Sequence, residues 1–394
     1  MTAGSRLKYI SIATLDFLPS VCALATSLNK HEPGAELVCY LVGGEINARQ
    51  AAALPFRVRR ADTLPVPDRQ NFFFQYSAKE LCCALKPYAL ADALREDDSC
   101  AVAYLDADIR IFAPFSALFR THLDVHAVLV TPHLLSPASA PHILAIMRAG
   151  IYNAGVVAVR RDAEGNRFVD WWQGRVAREC IRDPFGGVSG DQRWLDLAAG
   201  LFPALGVLRD PGINVGFWNL HERQLSRVNG GLRINQQCEL RAFHFSQVTA
   251  AGFAPFATAN MGTGDWAIAW ELVQAYHQEL VEWVRVCPVA GVYPWNYFAD
   301  GTPIGPEQRE VVRRRLLQVD DPFQERARIA AATPTDPVAA FGHRPSFWVD
   351  SGPGLLATAN ANLAVANANV ARLRRHIVIG RVIRLWQRWV NPDI

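Results

Sequence analysis

Two aspartates separated by one residue, Asp106 and Asp108, lie in the stretch AVAYLDADIRIF at 101–112. The apolar run before them predicts a buried β-strand. Two like charges at the end of such a strand repel each other unless something between them offsets the repulsion. A divalent cation of the magnesium or manganese type, which prefers oxygen ligands, fits a carboxylate pair of this spacing. The alternative is a solvated turn, since a D-x-D triplet is expected roughly once by chance in a chain this long.

The elements around the pair favour a site at this position. We predict strands at 8–14, 35–44, 56–62, 101–105, 126–135, 150–161 and 240–247, and helices at 18–29, 77–94, 166–180 and, after a loop, 189–202. This alternation predicts an α/β fold with a mixed, mostly parallel sheet flanked by helices. The ligand crevice of such sheets lies outside the carboxyl ends of the strands, where the two aspartates fall.

The helix before the aspartate strand has a recognisable beginning. Ser77 and Glu80 form the pattern of a capping box, and Pro87 is expected to kink the helix or to end its first part. The helix also carries Lys86, the last lysine of the chain.

Near residue 250 the pattern becomes helical and Pro-rich. We therefore expect a domain at 1–250 and a helical C-terminal extension at 251–394. The tail at 372–390 places apolar side chains on one helical stripe and arginines on the other face. Such a helix would lie on an anionic membrane or pack against the domain or a second subunit.

Composition excludes several classes of protein. The net charge of +3 is too small for nucleic-acid binding by bulk electrostatics. Eight cysteines without a C-x-x-C pair indicate free thiols in a reducing compartment. The N-terminus lacks the apolar core of a signal peptide, and no apolar run approaches the ~20 residues of a membrane span. We expect a cytoplasmic protein, either free or peripheral at the inner face of the membrane.

Five motifs in order resemble the GT-A glycosyltransferases, in particular the retaining glycogenin-like and galactosyltransferase-like group and bacterial lipopolysaccharide-type relatives. They are ISIATLDFLPSVCALATSL, YLDADIRIF, YNAGVVAVRR, GDQRWLD and FHFS. The resemblance covers about residues 8–250 and implies a GT-A, Rossmann-like fold. It also implies manganese bound by Asp106, Asp108 and His244. For His244 the alternative is a core histidine whose ring nitrogens are satisfied.

The resemblance implies further residues at the nucleotide. Ala13, Thr14 and Asp16 would cradle the base, and Ala107 joins the two aspartates in the cofactor-binding set. Asp16 could instead cap the helix that follows. Lys86 would approach the donor, although an exposed helix lysine is the commoner explanation.

The sugar would meet YNAG and GDQ. Small residues at Ala154 and Gly155 let the backbone approach the sugar closely, and the Asn153 amide can bond its hydroxyls. The alternative is a tight entry into a strand. The resemblance places Asp191 and Gln192 near the anomeric carbon, and Asp191 could also cap the next helix. Asn153, Asp191 and Gln192 are the predicted catalytic residues.

The loop at 213–223 carries aromatic and amide side chains that suit a carbohydrate. Asn214 and Trp218 are predicted to contact the donor sugar or the acceptor, as is His133 after its strand. Tryptophan in a Trp-rich protein is more often part of the core.

One position departs from the family pattern. Relatives commonly follow the metal histidine with a glycine and then a lysine that grips the diphosphate, whereas this chain has Gln247 and no nearby lysine. An arginine from the C-terminal region, a backbone amide or Ser246 could take its place. A UDP-sugar is favoured as donor, with GDP- and dTDP-sugars as alternatives.

These residues predict a metal-dependent glycosyltransferase that moves a hexose from a nucleotide sugar to a glycan or glycolipid hydroxyl, with retention. One alternative is a nucleotidyltransferase that makes the sugar nucleotide. That class usually has a Gly-rich basic loop after its first strand, which TLDFLPSV lacks. The other is a non-catalytic carbohydrate-binding or scaffold protein of the same fold.

Overall fold

A seven-stranded mixed sheet forms the centre of the computed structural model, which describes residues 6–96, 99–183, 187–249, 252–253, 266–287 and 293–341. The strands of this sheet are β1 (Arg6–Ala13), β2 (Leu37–Leu41), β3 (Arg57–Arg60), β4 (Ser99–Leu105), β6 (Val128–Pro132), β7 (Tyr152–Arg160) and β10 (Leu205–Val207). Their spatial order is β10-β6-β7-β4-β1-β2-β3. Only β7 runs antiparallel to its neighbours, so the predicted mixed, mostly parallel sheet is confirmed.

The remaining strands form short ribbons. They are β5 (Ile109–Ile111), β8 (Arg182–Asp183), β9 (Val188–Ser189), β11 (Leu225–Val228), β12 (Gly231–Ile234), β13 (Cys238–Glu239), β14 (Ala242–His244), β15 (Val248–Thr249) and β16 (Gly252–Phe253). The antiparallel pair β5–β14 extends the aspartate turn and brings in a segment that is distant in sequence.

Helices cover both faces of the sheet. They are α1 (Leu18–His31), α2 (Ala48–Ala52), α3 (Arg69–Phe74), α4 (Ala78–Leu94), α5 (Ser116–Val125), α6 (Ala140–Ala149), α7 (Ala163–Val176), α8 (Trp194–Leu201), α9 (Ala267–Val286), α10 (Pro306–Arg313), α11 (Arg326–Ala332) and α12 (Pro337–Phe341). No helix in the described part of the chain is both long and apolar enough to cross a bilayer.

Alternation along the strands divides the core into two halves. In β4, Val102 and Tyr104 pack in the cluster that contains α4 and α7 residues, whereas Ala103 and Leu105 pack in the cluster that contains α1 and α5 residues. Successive side chains of a strand point to opposite faces. A strand buried on both faces therefore reads as the continuous apolar run seen in the sequence.

The elements after residue 250 pack on the sheet domain through their own apolar faces. Helix α9 shares a buried cluster with β14, in which Phe245 stacks on Tyr276 at 4.1 Å between ring centroids. A second cluster joins Phe74 of α3 to Phe298 and Ile329. The described part of the predicted extension contains the helices α9 to α12 joined by loops, and the tail helix predicted at 372–390 lies outside the described residues.

Two residues considered as helix caps do not cap a helix, although α1 starts at Leu18 as predicted. Asp16 lies within a 3-10 turn, Leu15–Phe17, and α1 starts after Phe17 as its N-cap. The helix expected near Gln192 begins at Trp194 with Arg193 as its N-cap, because residues 190–193 form turns first. Neither Asp16 nor Asp191 is therefore a helix cap.

Helix α4 begins where the sequence predicts. The Glu80 carboxylate accepts hydrogen bonds from the Ser77 amide (3.0 Å) and hydroxyl (2.8 Å). Pro87 lies inside the helix, which continues to Leu94. The helix therefore does not end at Pro87, which was one of the two predicted effects of this residue.

Candidate active site

The two aspartates occupy a tight turn between β4 and β5. The Asp106 amide donates to the Gly155 carbonyl of β7 (2.8 Å), and the Ile109 amide donates back to the Asp106 carbonyl (3.1 Å). This turn at the end of the sheet holds both carboxylates at one edge. Their side chains are 26% and 16% exposed, respectively, so both remain open to a ligand.

His244 reaches this turn from a distant part of the chain. Strand β14 pairs with β5 so that His244 lies opposite Ile109. Its Nε2 is 3.0 Å from Asp108 Oδ1 and 3.7 Å from Asp106 Oδ2. One ligand atom from each of the three residues lies within 4.8 Å of the others. The structure therefore brings together all three predicted metal ligands.

The imidazole is oriented from behind by Asn214. The Asn214 Oδ1 lies 3.1 Å from His244 Nδ1, and its Nδ2 donates to the Thr131 hydroxyl at 2.9 Å. An oxygen at Nδ1 requires that nitrogen to carry the proton, which leaves Nε2 as the ligand atom. Asn214 is fully buried. Its predicted contact with sugar stays a prediction, since its amide already has protein partners.

Gly155 leaves the space that the cluster needs. A Cβ on this residue would lie 2.8 Å from Asp106 Oδ2 and 2.7 Å from His244 Cε1. Contacts under 3.0 Å would force those side chains to move. The small residue predicted to lie beside a sugar therefore also borders the acidic cluster.

This donor set fits a divalent cation. Two carboxylates and one imidazole are ligands for manganese-type ions, and a protein acceptor on the second imidazole nitrogen is the usual support of such a ligand. Burial alone would lower the pKa of His244, but Asp108 and Asp106 outweigh it and raise that pKa. The cluster thus concentrates negative charge on one point, which is what a cation requires.

Lys86 is buried between two carboxylates. Its Nζ lies 3.1 Å from Asp106 Oδ1 and 3.1 Å from Asp191 Oδ2, and it donates to the Ala154 carbonyl at 3.2 Å. Burial would lower the pKa of Lys86, but Asp106 and Asp191 raise it well above its usual value. The alternative of an exposed helix lysine is wrong: the ammonium links the aspartate turn to the GDQ motif.

Gln192 and Asn153 line the neighbouring strand. Gln192 Oε1 accepts from the Ala154 amide at 3.1 Å, and its Nε2 donates to the Ala149 carbonyl at 3.0 Å. Asn153 Oδ1 accepts from the Gly155 amide at 2.8 Å, and its Nδ2 lies 3.1 Å from His133 Nε2. The predicted sugar-facing residues therefore form one hydrogen-bonded group next to the acidic cluster.

Trp218 packs edge-on against His244, with ring centroids 5.2 Å apart, and against His133 at 5.7 Å. Its indole Nε1 is buried and has no hydrogen-bond acceptor among the described residues. Burial lowers the pKa of His133 to about 4, so its ring is neutral at physiological pH. Both residues lie at the site, and their predicted contact with substrate stays a prediction.

The predicted base-binding residues lie at the same edge of the sheet. The parallel register pairs Ile10 of β1 with Tyr104 of β4. Ala13 therefore ends β1, and Thr14 follows it, where the aspartate turn follows β4. The Thr14 hydroxyl donates to the carboxylate of Asp16, which is exposed. Ala107 is 7% exposed between the two aspartates.

The departure at Gln247 has a visible backbone consequence. Gln247 has a φ of 68°, in the left-handed region that glycine adopts without a side-chain clash.

A basic residue near the acidic cluster comes from another part of the chain. Lys79, exposed in the first turn of α4, contributes to lowering the pKa of Asp108. Burial opposes that lowering of the Asp108 pKa, and the interaction with His244 is its main cause.

Sequence reasoning missed the residues that support the site. Tyr104 donates to Asp106 Oδ1 at 2.7 Å, and the Asn219 amide donates to the His133 and Asn214 carbonyls. Tyr104 precedes Asp106 by two residues and so lies on the same face of its strand. That spacing was the one available signal.

Comparison with known proteins found relatives of unknown function. No family model matches the chain. The uncharacterized protein YfnF of Bacillus subtilis (strain 168) is 29% identical over 170 residues, which are 42% of this chain and 56% of that protein. YfnD of the same strain is 27% identical over 177 residues, 43% of this chain and 54% of that protein. The matched region thus spans about half the length of these curated relatives.

Solved structures similar to this chain share little sequence with it. The galactosyltransferase LgtC, in complex with donor and acceptor sugar analogues, is 15% identical and covers 70% of this chain and 95% of its own, with a TM-score of 0.41. The glycosyltransferase GlyE of Streptococcus pneumoniae TIGR4 is 15% identical over 75% and 66%, with a TM-score of 0.42. Mouse xyloside xylosyltransferase 1 is 14% identical over 60% and 96%, with a TM-score of 0.38. Likenesses of this size leave the function to be judged from the site itself.

Proposed function

We propose that this protein is a metal-dependent glycosyltransferase of the GT-A type. It moves a hexose, with retention, from a nucleotide sugar to a hydroxyl of a glycan or glycolipid. The observation that carries the proposal is the convergence of Asp106, Asp108 and His244 from two distant segments on one point. The order of motifs in the sequence supports the same activity and favours a UDP-sugar as the donor.

A divalent ion on these three ligands would neutralise the charge that develops on the departing diphosphate. Lys86 supports this arrangement from the protein side, because its ammonium fixes Asp106 from behind. Lys79, whose charge already acts on Asp108, is our candidate for the basic group that grips the diphosphate. It would take the place of the lysine that is absent after Gln247.

The sugar would lie against β7 and the GDQ turn. Asp191 forms an ion pair with Lys86, and Gln192 accepts a hydrogen bond from the Ala154 amide. Both side chains are therefore oriented before a substrate binds. Preorganised groups of this kind stabilise charge at a reacting carbon without having to reorganise. The indole N–H of Trp218, which has no acceptor among the described residues, is a donor for a sugar hydroxyl.

Calorimetric titration of UDP, GDP, CDP and dTDP, each with and without Mn²⁺, tests the proposal. We expect one diphosphate to bind in the presence of Mn²⁺ and to lose roughly tenfold or more in affinity without it. Asp108→Asn should abolish the effect of Mn²⁺. Asp170→Asn, on the exposed face of α7, is the matched control and should leave binding unchanged.

Slow release of free sugar from the donor in Mn²⁺ would separate a transferase from a scaffold of the same fold. Metal-dependent diphosphate binding without donor hydrolysis or transfer would favour the scaffold. Formation of a sugar nucleotide from a nucleoside triphosphate and a sugar phosphate would replace the proposal with a nucleotidyltransferase. If no diphosphate binds with or without Mn²⁺, the proposed donor site is wrong.

A further inference from the structure

Exposed apolar side chains lie on two helices next to the candidate site. Eleven large hydrophobic side chains are exposed in the described part of the chain, and six of them fall on α6, α8 and the residue that follows Gly150. These six are between 37% and 56% exposed. They are Ile143, Leu144, Met147, Ile151, Leu197 and Leu201. We call this set the α6–α8 face.

The two helices are joined at one corner, which is also the edge of the candidate site. The Ile151 amide donates to Asp196 Oδ1 of α8 at 2.8 Å. Gln192 Nε2 donates to the Ala149 carbonyl at the end of α6 at 3.0 Å. Gln192 also accepts from the Ala154 amide, so the α6–α8 face begins at a predicted catalytic residue.

Acidic side chains are scarce on these two helices, although Glu179 is exposed beside Trp194 of α8. The chain has no Asp or Glu between Asp124 and Asp162, a stretch that includes all of α6. Asp196 is the one acidic residue in α8. It forms an ion pair with Arg193 and accepts a hydrogen bond from the Ile151 amide. Arg148 in the last turn of α6 is exposed.

A second arginine extends this positive rim. Arg209 is exposed and acts electrostatically on Tyr152, the residue after Ile151. Apolar side chains bordered by exposed arginines complement an anionic lipid surface. A second copy docked through the same face would instead place arginines against arginines.

We propose that the α6–α8 face docks the protein on the anionic surface of a membrane. This orientation would bring an acceptor carried on a lipid to the edge of the site at Gln192. The choice of a lipid-linked acceptor rests on the proposed glycosyltransferase function, whereas the docking itself does not. The surface is distinct from the basic tail predicted at 372–390.

Vesicle flotation of the full chain tests the docking. The probes are phosphatidylcholine vesicles and vesicles of equal parts phosphatidylcholine and phosphatidylglycerol. We expect the protein to float with the anionic vesicles and not with the neutral ones. Leu144→Glu combined with Met147→Glu should lower the vesicle-bound to free ratio by roughly tenfold or more, since it removes apolar contact and adds two like charges to the anionic surface. Leu316→Glu, at another exposed leucine (55%), should float like the unmodified chain.

Three results would overturn the docking surface. The first is no flotation of the unmodified chain. The second is flotation of the double variant equal to that of the unmodified chain, which would assign membrane binding elsewhere. The third is a dimer in sedimentation that the double variant dissociates, which would make the face an interface between copies. Donor hydrolysis in vesicle-free buffer separates the two proposals. It should be equal in the double variant and the unmodified chain, and its absence from both would remove the transferase and leave the docking result standing.

Discussion

At the scale of single residues, buried polar groups behind the candidate metal ligands decide how those ligands point. Asn214 holds His244 Nδ1, Tyr104 holds Asp106, and Lys86 bridges Asp106 and Asp191. Such partners fix the orientation of each ligand before an ion binds, and their loss typically costs tenfold to a hundredfold in metal affinity. The same reasoning makes Asn214 a positioning residue.

Asn214→Ala should weaken Mn²⁺ binding about tenfold or more in calorimetry, because the His244 ring loses the acceptor that orients it. Asn214 also has a left-handed backbone, with φ of 55°. Asn229→Ala is the matched control, since Asn229 has a φ of 51° and is exposed away from the cluster. The control should retain Mn²⁺ affinity. If both variants bind Mn²⁺ normally and only substrate affinity falls in Asn214→Ala, the residue contacts substrate instead.

His133 should make the protein less stable in mild acid. Burial lowers its pKa from 6.5 to about 4, so between these values the unfolded chain binds a proton that the folded one does not. The stability contributed by the neutral ring is therefore complete above pH 6.5 and is lost as the pH falls toward 4, by up to about 3 kcal/mol.

Urea unfolding of His133→Gln at pH 7 and near pH 4.5 measures this contribution. The variant should lose less free energy of unfolding on acidification than the unmodified chain. His122→Gln, at a partly exposed position of α5, should follow the unmodified chain. An equal acid sensitivity in all three proteins would contradict the assignment.

At the scale of elements, the strand ends and one helix start determine the site. The end of β4 supplies the aspartates, β14 supplies His244, β7 supplies Asn153 to Gly155, and α4 supplies Lys86. Helix α4 must be fixed at its first turn if its lysine is to reach two carboxylates. That turn is held by Glu80, which accepts from both the amide and the hydroxyl of Ser77.

Glu80→Ala should lower the free energy of unfolding by about 1–3 kcal/mol, because the buried Ser77 amide loses its acceptor. Glu80→Gln keeps an oxygen acceptor and should cost less. Denaturant unfolding of the two variants measures the difference. Equal stability of Glu80→Ala and the unmodified chain would show that the capping contact contributes nothing.

At the scale of the whole molecule, one buried arginine links the extension to the sheet domain in addition to the two apolar clusters. Arg309 of α10 is 3% exposed. It donates to the Phe74 and Tyr76 carbonyls of the sheet domain and to Trp295 and Asn296 of the extension. These contacts cross the predicted boundary at residue 250, so the two parts should unfold together.

Arg309→Ala should lower the free energy of unfolding by about 3 kcal/mol, since it leaves several buried carbonyls without a donor. Arg326→Ala removes a surface pair with Asp300 whose side chains are about half exposed, and it should cost under ~1 kcal/mol. Calorimetric melting measures both. Two separate transitions in the unmodified chain would contradict joint unfolding.

The sequence by itself determined six of the seven strands of the sheet, its mostly parallel character and the acidic turn. Continuous apolar runs such as 101–105 have one good solution, a strand buried on both faces, and the aspartates must then lie at its end. It predicted His244 only through resemblance, since no local pattern shows which distant strand pairs with β5. The tertiary structure alone decided that Lys86 is buried and that Asn214 lies behind His244. It alone also decided that Asp16 and Asp191 cap no helix. The physical reason is that periodicity describes one element at a time, whereas the burial of a charge depends on the partners that packing brings from elsewhere in the chain.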